Sequence, residues 1–224
     1  RLINMIARIY REFDVEVPVT QLYKAPTIED TAKCIENSKS AEEPVILLNR
    51  DMPRKIFCFP PALSLGISYK DLAEAMGNHA VYGFNFIEED DRVRRYVDTI
   101  TRIQPEGPYV FLGWSSAGKI IFHVTHALQE RGFNVPLVLF FDCFLNPRRM
   151  DLDRMNGWIE AIARDMENAG VGFLKDKVKT KIKNYLDYNV ETKFEDHNPV
   201  IIDSKIHFIL SEGYWNDEDW DPMC

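Results

Sequence analysis

The segment Tyr109-Val-Phe-Leu-Gly113-Trp-Ser115-Ser-Ala-Gly118 runs an apolar stretch into a turn of small residues with a serine at its tip. A serine hydroxyl is a weak nucleophile in water. To attack a carbonyl it must be held on a tight turn, exposed to a base and close to backbone N–H groups that stabilise the developing oxyanion. A strand-to-helix elbow of the form G-x-S-x-G does this, because small residues two places either side of the serine let strand and helix approach. Gly113 and Ala117 take those places around Ser115, with alanine where the usual pattern has glycine and Gly118 one position late. Ser116 would instead have Trp114 two residues before it, where a bulky side chain obstructs the turn. The spacing therefore predicts Ser115 as the nucleophile of an acyl transfer.

Three further parts are needed. Asp142 ends the run Leu-Val-Leu-Phe-Phe-Asp just after the Ser115 unit. Ligands of parallel sheets gather at the carboxyl ends of the strands, so Asp142 either orients a base or caps a loop. An oxyanion hole takes one N–H from the residue after the nucleophile, here Ser116, and one from the loop after an earlier strand. Phe59-Pro60-Pro61-Ala62-Leu63 offers the Ala62 N–H on a loop stiffened by two prolines; alternatively, the prolines only stop the strand. The base is the gap. His123 and His126 fall two or more turns along the helix after Ser115, His79 precedes a strand and His207 lies within one, so these read as structural. His197 is the remaining internal candidate, while the chain order serine, acid, histidine points to a base beyond Cys224.

These residues must be positioned by alternating strands and helices. Strand patterns fall at 45–48, 55–59, 80–84, 109–113, 137–142 and 205–210, with helices near 68–76, 91–103 and 116–131 between them. Strands of near-continuous Val/Ile/Leu/Phe character separated by helices predict an α/β fold with a mostly parallel sheet covered on both faces. The region 147–198 breaks the rhythm. It is helical in pattern, carries Leu174, Val178, Ile182, Tyr185 and Leu186 on one face, and is expected to form a helical lid. Its lysines, from Lys175 to Lys183, read as a solvated helix face. Before the sheet, residues 1–13 have helical spacing, and Thr27 with Asp30 resembles a capping box opening a second helix. A polar stretch at 37–44 reads as a linker. The expected boundaries are 1–37 for a small all-α segment, 38–50 for linker and first strand, and 51–224 for the main domain.

Composition bounds the partners. A net charge of −8 over 224 residues, without a basic stripe, argues against nucleic acid, and no apolar run is long enough to cross a bilayer. Cys58 and Cys143 sit in apolar runs and read as buried free thiols, which fits a reducing cytoplasm. With no initiating methionine or signal peptide, the chain is expected to be part of something longer.

With these residues in view, the chain resembles the terminal thioesterase of a nonribosomal peptide synthetase, close to those releasing surfactin- and fengycin-type lipopeptides. The resemblance runs in order through Phe59-Pro60-Pro61, Phe84-Asn-Phe-Ile-Glu-Glu-Asp90, Ile103-Gln-Pro-Glu-Gly-Pro-Tyr109 and Gly113-Trp-Ser115. It implies an α/β-hydrolase fold, Ser115 as the acylated nucleophile, Asp142 as the triad acid, and Ala62 and Ser116 as oxyanion-hole donors. The family's histidine follows the last matched strand by a few tens of residues, which again places it beyond Cys224.

Residues 1–37 resemble the last two-thirds of a peptidyl carrier domain through Val-Glu-Val-Pro18 and Ala-Pro-Thr27-Ile-Glu-Asp. In that family a serine bears phosphopantetheine, and it would lie upstream of Arg1. The resemblance thus implies a peptidyl thioester substrate, a carrier domain in cis, upstream synthetase modules, and release of the peptide by macrocyclisation or hydrolysis. The alternatives are a hydrolytic editing thioesterase or a non-catalytic module that docks a carrier.

Overall fold

The structure is a computed structural model, and it describes residues 2–13, 15, 17, 22, 26–36, 44–61, 65–143, 152–168, 170, 172–191 and 201–211. Ala62, His197, Cys224, most of the expected linker and both ends of the expected lid lie outside the described residues. Two compact units form, one from residues 1–43 and 151–180, the other from 44–150 and 181–224.

The larger unit is built on a six-stranded sheet. Its strands are β1 (Val45–Leu47), β2 (Lys55–Phe59), β3 (Ala80–Phe84), β4 (Val110–Trp114), β5 (Leu137–Phe141) and β6 (Lys205–Ile209), in the order β1-β3-β2-β4-β5-β6. Only β1 runs antiparallel, pairing Val45 with Phe84; β2, β3, β4, β5 and β6 are mutually parallel. This is the mostly parallel sheet expected from the strand composition.

Burial explains why these segments are strands. Phe57, Phe59, Phe84, Tyr96, Tyr109 and Phe111 are all fully buried, and their rings meet edge-on, tilted or stacked at centroid distances of 5.1–6.4 Å. Each such ring removes a large apolar area from water and adds an aromatic contact. Helices Lys70–Ala75, Arg92–Ile103 and Gly118–Glu130 connect the strands. The helix Arg92–Ile103 buries Tyr96, Val97 and Ile100 on one stripe, as its spacing requires.

The smaller unit has a modest core. Ile9 of helix Leu2–Phe13 packs with Val17, Leu22 and Cys34, the last from helix Ile28–Glu36. Thr27 caps that second helix: its Oγ1 accepts the Asp30 N–H at 3.1 Å and its hydroxyl donates to the Asp30 carboxylate at 2.5 Å. Helix Leu152–Asn168 and the start of helix Lys175–Glu191 belong to the same unit, with Tyr10 stacked on Phe173 at 6.2 Å. On the solvated face of the second of these helices, Lys175 pairs with Glu167 at 2.8 Å and Lys179 with Glu160 at 2.5 Å. Lys177 stands over the Tyr10 ring.

Candidate active site

The sheet changes direction at β2, which has β3 on one side and β4 on the other. The segments leaving β2 and β4 therefore diverge around one crevice at the carboxyl ends of the strands, the place where open parallel sheets bind ligands. Phe59 pairs with Gly113, so the loop beginning at Pro60 and the turn at Ser115 start from the same level of the sheet.

Ser115 has φ 57° and Asp142 has φ 44°; these are the non-glycine residues with positive φ among the described residues. That left-handed conformation costs a side-chain-bearing residue about 1–3 kcal/mol and persists only where its surroundings over-determine it. The turn that carries Ser115 is closely packed. A Cβ on Gly113 would stand 2.3 Å from Ile121 Cδ1 and 2.9 Å from Ala117 Cβ. Glycine is thus required at 113, and its missing side chain is what leaves room for the fully buried Ala117 methyl. The alanine that departs from the usual motif is accommodated by its partner across the elbow.

Ser115 and Ser116 are treated oppositely. Ser115 opens a short 3-10 turn, Ser115–Ala117, ahead of helix Gly118–Glu130 and remains partly exposed. Ser116 is 2% exposed, with its Oγ 2.9 Å from the Tyr185 hydroxyl. That hydroxyl in turn donates to the Pro60 carbonyl at 3.2 Å.

Trp114 pairs with Phe141 across β4 and β5, so Ser115 and Asp142 are the next residues on two adjacent strands. Asp142 is pinned from the β6 side. Its N–H donates to the Ile209 carbonyl at 3.0 Å, and its Oδ1 accepts the Ser211 N–H at 2.7 Å.

The residues on either side of 62–64, which lie outside the described residues, make several contacts. Tyr69 donates to the Phe59 carbonyl at 2.6 Å, and Gly66 donates its N–H to Asn85 Oδ1 at 2.9 Å. Gly66 and Gly83 touch backbone to backbone, since a Cβ on either would fall within 2.3 Å of the other's main chain. Pro60 and Pro61 are buried.

Other titratable groups near the elbow are explained by burial. Burial pushes the Cys58 and Cys143 thiols up, which keeps them protonated and poor nucleophiles. Lys119 is 1% exposed, donates to the Tyr188 carbonyl at 3.0 Å, and is brought by burial down to about 8. His123 is lowered to about 4 by burial first, then by Lys119 and His126. It lines a cavity of about 580 Å³ with Glu88, Asp90, Arg92, Asn184 and Tyr188. Arg92 donates to the Ile87 and Glu88 carbonyls and stacks 4.7 Å above the Tyr188 ring. His126 Nδ1 meets the Ile201 carbonyl and His79 Nδ1 meets Asn78.

The fold therefore brings Ser115, Ser116 and Asp142 to one edge of the sheet. Sequence reasoning missed Tyr185, Tyr69 and Asn85. Tyr185 was visible only as part of an apolar stripe, and nothing local marks its hydroxyl as bonded to residues far away in the chain.

The thioesterase-domain family profile matches residues 54–179, more than half of the chain. The chain belongs to the thioesterase family. Its first 35 residues match the phosphopantetheine attachment site profile. This thioesterase is similar to surfactin synthase subunit 3 of Bacillus subtilis (strain 168), 32% identical over 190 residues that make up 82% of the chain and 15% of that protein. It is likewise similar to tyrocidine synthase 3 of Brevibacillus parabrevis, 34% identical over 149 residues, 66% of the chain and 2% of that protein. The chain thus spans a small part of the curated relatives that it matches. In fold it is similar to the thioesterase domain SrfTE, described as cyclising the lipopeptide antibiotic surfactin, with a TM-score of 0.58, 22% identity, and coverage of 75% of this chain and 86% of that one. The sheet and helices are those of thioesterase α/β-hydrolase domains.

Proposed function

We propose that this thioesterase ends a nonribosomal peptide assembly line, taking a peptidyl chain from a thioester onto Ser115 and releasing it by macrocyclisation or hydrolysis. The observation that carries the reading is the strained conformation of Ser115 at the switch point of the sheet, one strand from Asp142. A surface turn would not hold a serine at φ 57° without a reason.

In the first step Ser115 Oγ attacks the thioester carbonyl while a histidine base, oriented by Asp142, takes its proton. The oxyanion is held by the N–H groups of Ser116 and Ala62. The C–S bond then breaks, the thiol leaves with the proton from the base, and a peptidyl ester remains on Ser115. An amine or hydroxyl of the peptide, or water, attacks that ester in the second step and frees the serine. Trp114, 49% exposed and adjacent to Ser115, offers an aromatic face at the rim for an apolar acyl chain.

Phosphopantetheine would supply the thiol that bears the peptide. Residues 1–35 hold no serine to carry it. The carrier-like segment on the same chain nevertheless favours chain release, with a carrier in cis and upstream modules as partners, over a free-standing editing enzyme. Among the described residues, Cys34, Cys58 and Cys143 are buried free thiols, which supports a reducing site of action in the cytoplasm. Among the described residues no helix is long and apolar enough to cross a membrane.

The test is mass spectrometry of the full-length protein after incubation with a peptidyl thioester. An acyl adduct on the Ser115 peptide is expected, and Ser115→Ala should abolish it and slow release at least about a thousandfold. Turnover retained by that variant would remove Ser115 from the mechanism.

A further inference from the structure

Two loops must keep a fixed separation if both oxyanion donors are to reach one oxygen atom. One follows β2 at Pro60; the other follows β4 at Ser115. In this structure a single side chain touches both. Tyr185, 3% exposed on helix Lys175–Glu191, lies 2.9 Å from Ser116 Oγ and 3.2 Å from the Pro60 carbonyl.

The direction of these bonds follows from proton counting. A phenol has one proton, and a carbonyl can only accept. The Tyr185 proton therefore goes to Pro60, and the Ser116 hydroxyl donates to the Tyr185 oxygen. The result is a one-way chain from Ser116 through Tyr185 to Pro60. Its middle member is fixed by packing as well, since the Tyr185 ring lies against Phe86 with centroids 4.6 Å apart. Neighbours in the same unit hold the helix in place: Asn184 donates to Glu88 at 2.8 Å and Lys119 donates to the Tyr188 carbonyl at 3.0 Å.

From this geometry we infer that Tyr185 is a positioning residue for the oxyanion hole, a strut that sets the spacing between the Ser116 turn and the Pro60 loop. The inference rests on the proposed role of Ser115 and adds to it. Preorganised donors matter most in the transition state, so a misplaced donor lowers kcat and leaves ground-state binding nearly unchanged. The hydroxyl, not the ring, supplies the effect. Ser116 has a second role under this reading: its side chain anchors the strut while its N–H serves the oxyanion.

The experiment uses the full-length protein with Tyr185→Phe and Ser116→Ala, singly and together, assayed on a peptidyl thioester and by labelling with a fluorophosphonate, whose tetrahedral adduct needs the same hole. Tyr185→Phe keeps the ring on Phe86. It should lower kcat and the labelling rate by about ten- to a hundredfold, with KM within about twofold of wild type and a melting temperature lowered by only a few degrees, as expected for one buried hydrogen-bond partner lost. Ser116→Ala should have a similar effect, and the double variant should be no worse than the stronger single one, because both substitutions cut the same chain. Wild-type kcat in Tyr185→Phe, or additive losses in the double variant, would overturn the strut. If wild-type protein is not labelled at Ser115 at all, the serine mechanism falls and the strut with it. Normal labelling at Ser115 combined with an indifferent Tyr185→Phe removes the strut alone.

Discussion

The corner after β4 and the corner after β5 solve the same problem differently. Each puts a non-glycine residue into the left-handed region at the carboxyl end of a strand, Ser115 at φ 57° and Asp142 at φ 44°. At β4 the conformation sits in a turn closed by volume: a Cβ on Gly113 would run into Ile121 and Ala117. At β5 it is enforced by directional bonds, with the backbone and side chain of Asp142 both tied to the segment that ends β6. The contrast fits the work proposed for each residue. A nucleophile must keep its hydroxyl available, so its own side chain is not spent on holding the turn. An orienting carboxylate has two oxygens and can give one to the scaffold.

The comparison can be broken most severely at Asp142. Asp142→Asn retains an oxygen for the Ser211 N–H but loses the charge that, under the proposed mechanism, would orient and stabilise a histidine base. Release should fall about 10³–10⁴-fold with the unfolding midpoint nearly unchanged, measured by steady-state kinetics and urea titration. A large loss of stability with retained activity would make this corner purely structural.

Next in size is Gly113→Ala, which tests the volume argument. The added methyl must displace Ile121 or part the strand from the helix, at about 1–3 kcal/mol of stability. Activity should drop along with stability because the elbow opens. An unchanged midpoint would show that the interlock is looser than the contact distances imply.

A smaller effect should separate two inactive variants. Ser115→Ala keeps a Cβ in the left-handed region, whereas Ser115→Gly does not, so the glycine variant should be the more stable by about 1 kcal/mol in chemical denaturation. Equal midpoints would mean that the turn stores no strain.

The smallest effect concerns the helix that braces the first corner. His123 is held neutral, near 4 against an ordinary 6.5, by burial among Lys119, His126 and the Tyr188 ring, in a cavity shared with Glu88, Asp90, Asp187 and Arg92. Between those values the unfolded chain binds the extra proton and the folded one does not. Stability therefore rises with pH from about 4 to 6.5 and is lost as pH falls through that window. His123→Asn should flatten this dependence in thermal melts taken across the window. A slope identical to wild type would assign it to other groups.

Much of this was legible in the primary structure because the signals are local. Thr27 and Asp30 are three residues apart and cap a helix as their spacing predicts. The strand patterns locate β2 to β6 to within a residue or two at either end; the buried central strands are apolar on both faces, while β6, at the edge, alternates exposed and half-buried residues. Lys175 and Lys179 show the limit. Their spacing says only that they share a polar face, and the fold turns that face toward Glu167 and Glu160.

By itself the sequence determined the elements, the elbow with its small neighbours, and the family, since each depends on residues a few places apart or on an ordered run of motifs. Only the tertiary structure decided that β2 and β4 flank one crevice, that Gly113 faces Ile121 and Ala117 at the elbow, and that Tyr185 joins Ser116 to Pro60. A hydrogen bond between residues 125 positions apart leaves no periodicity to read. Its partners come together only when the aromatic core fixes the register of the sheet, and a tyrosine at helical spacing looks the same in sequence whether its hydroxyl is anchored or idle.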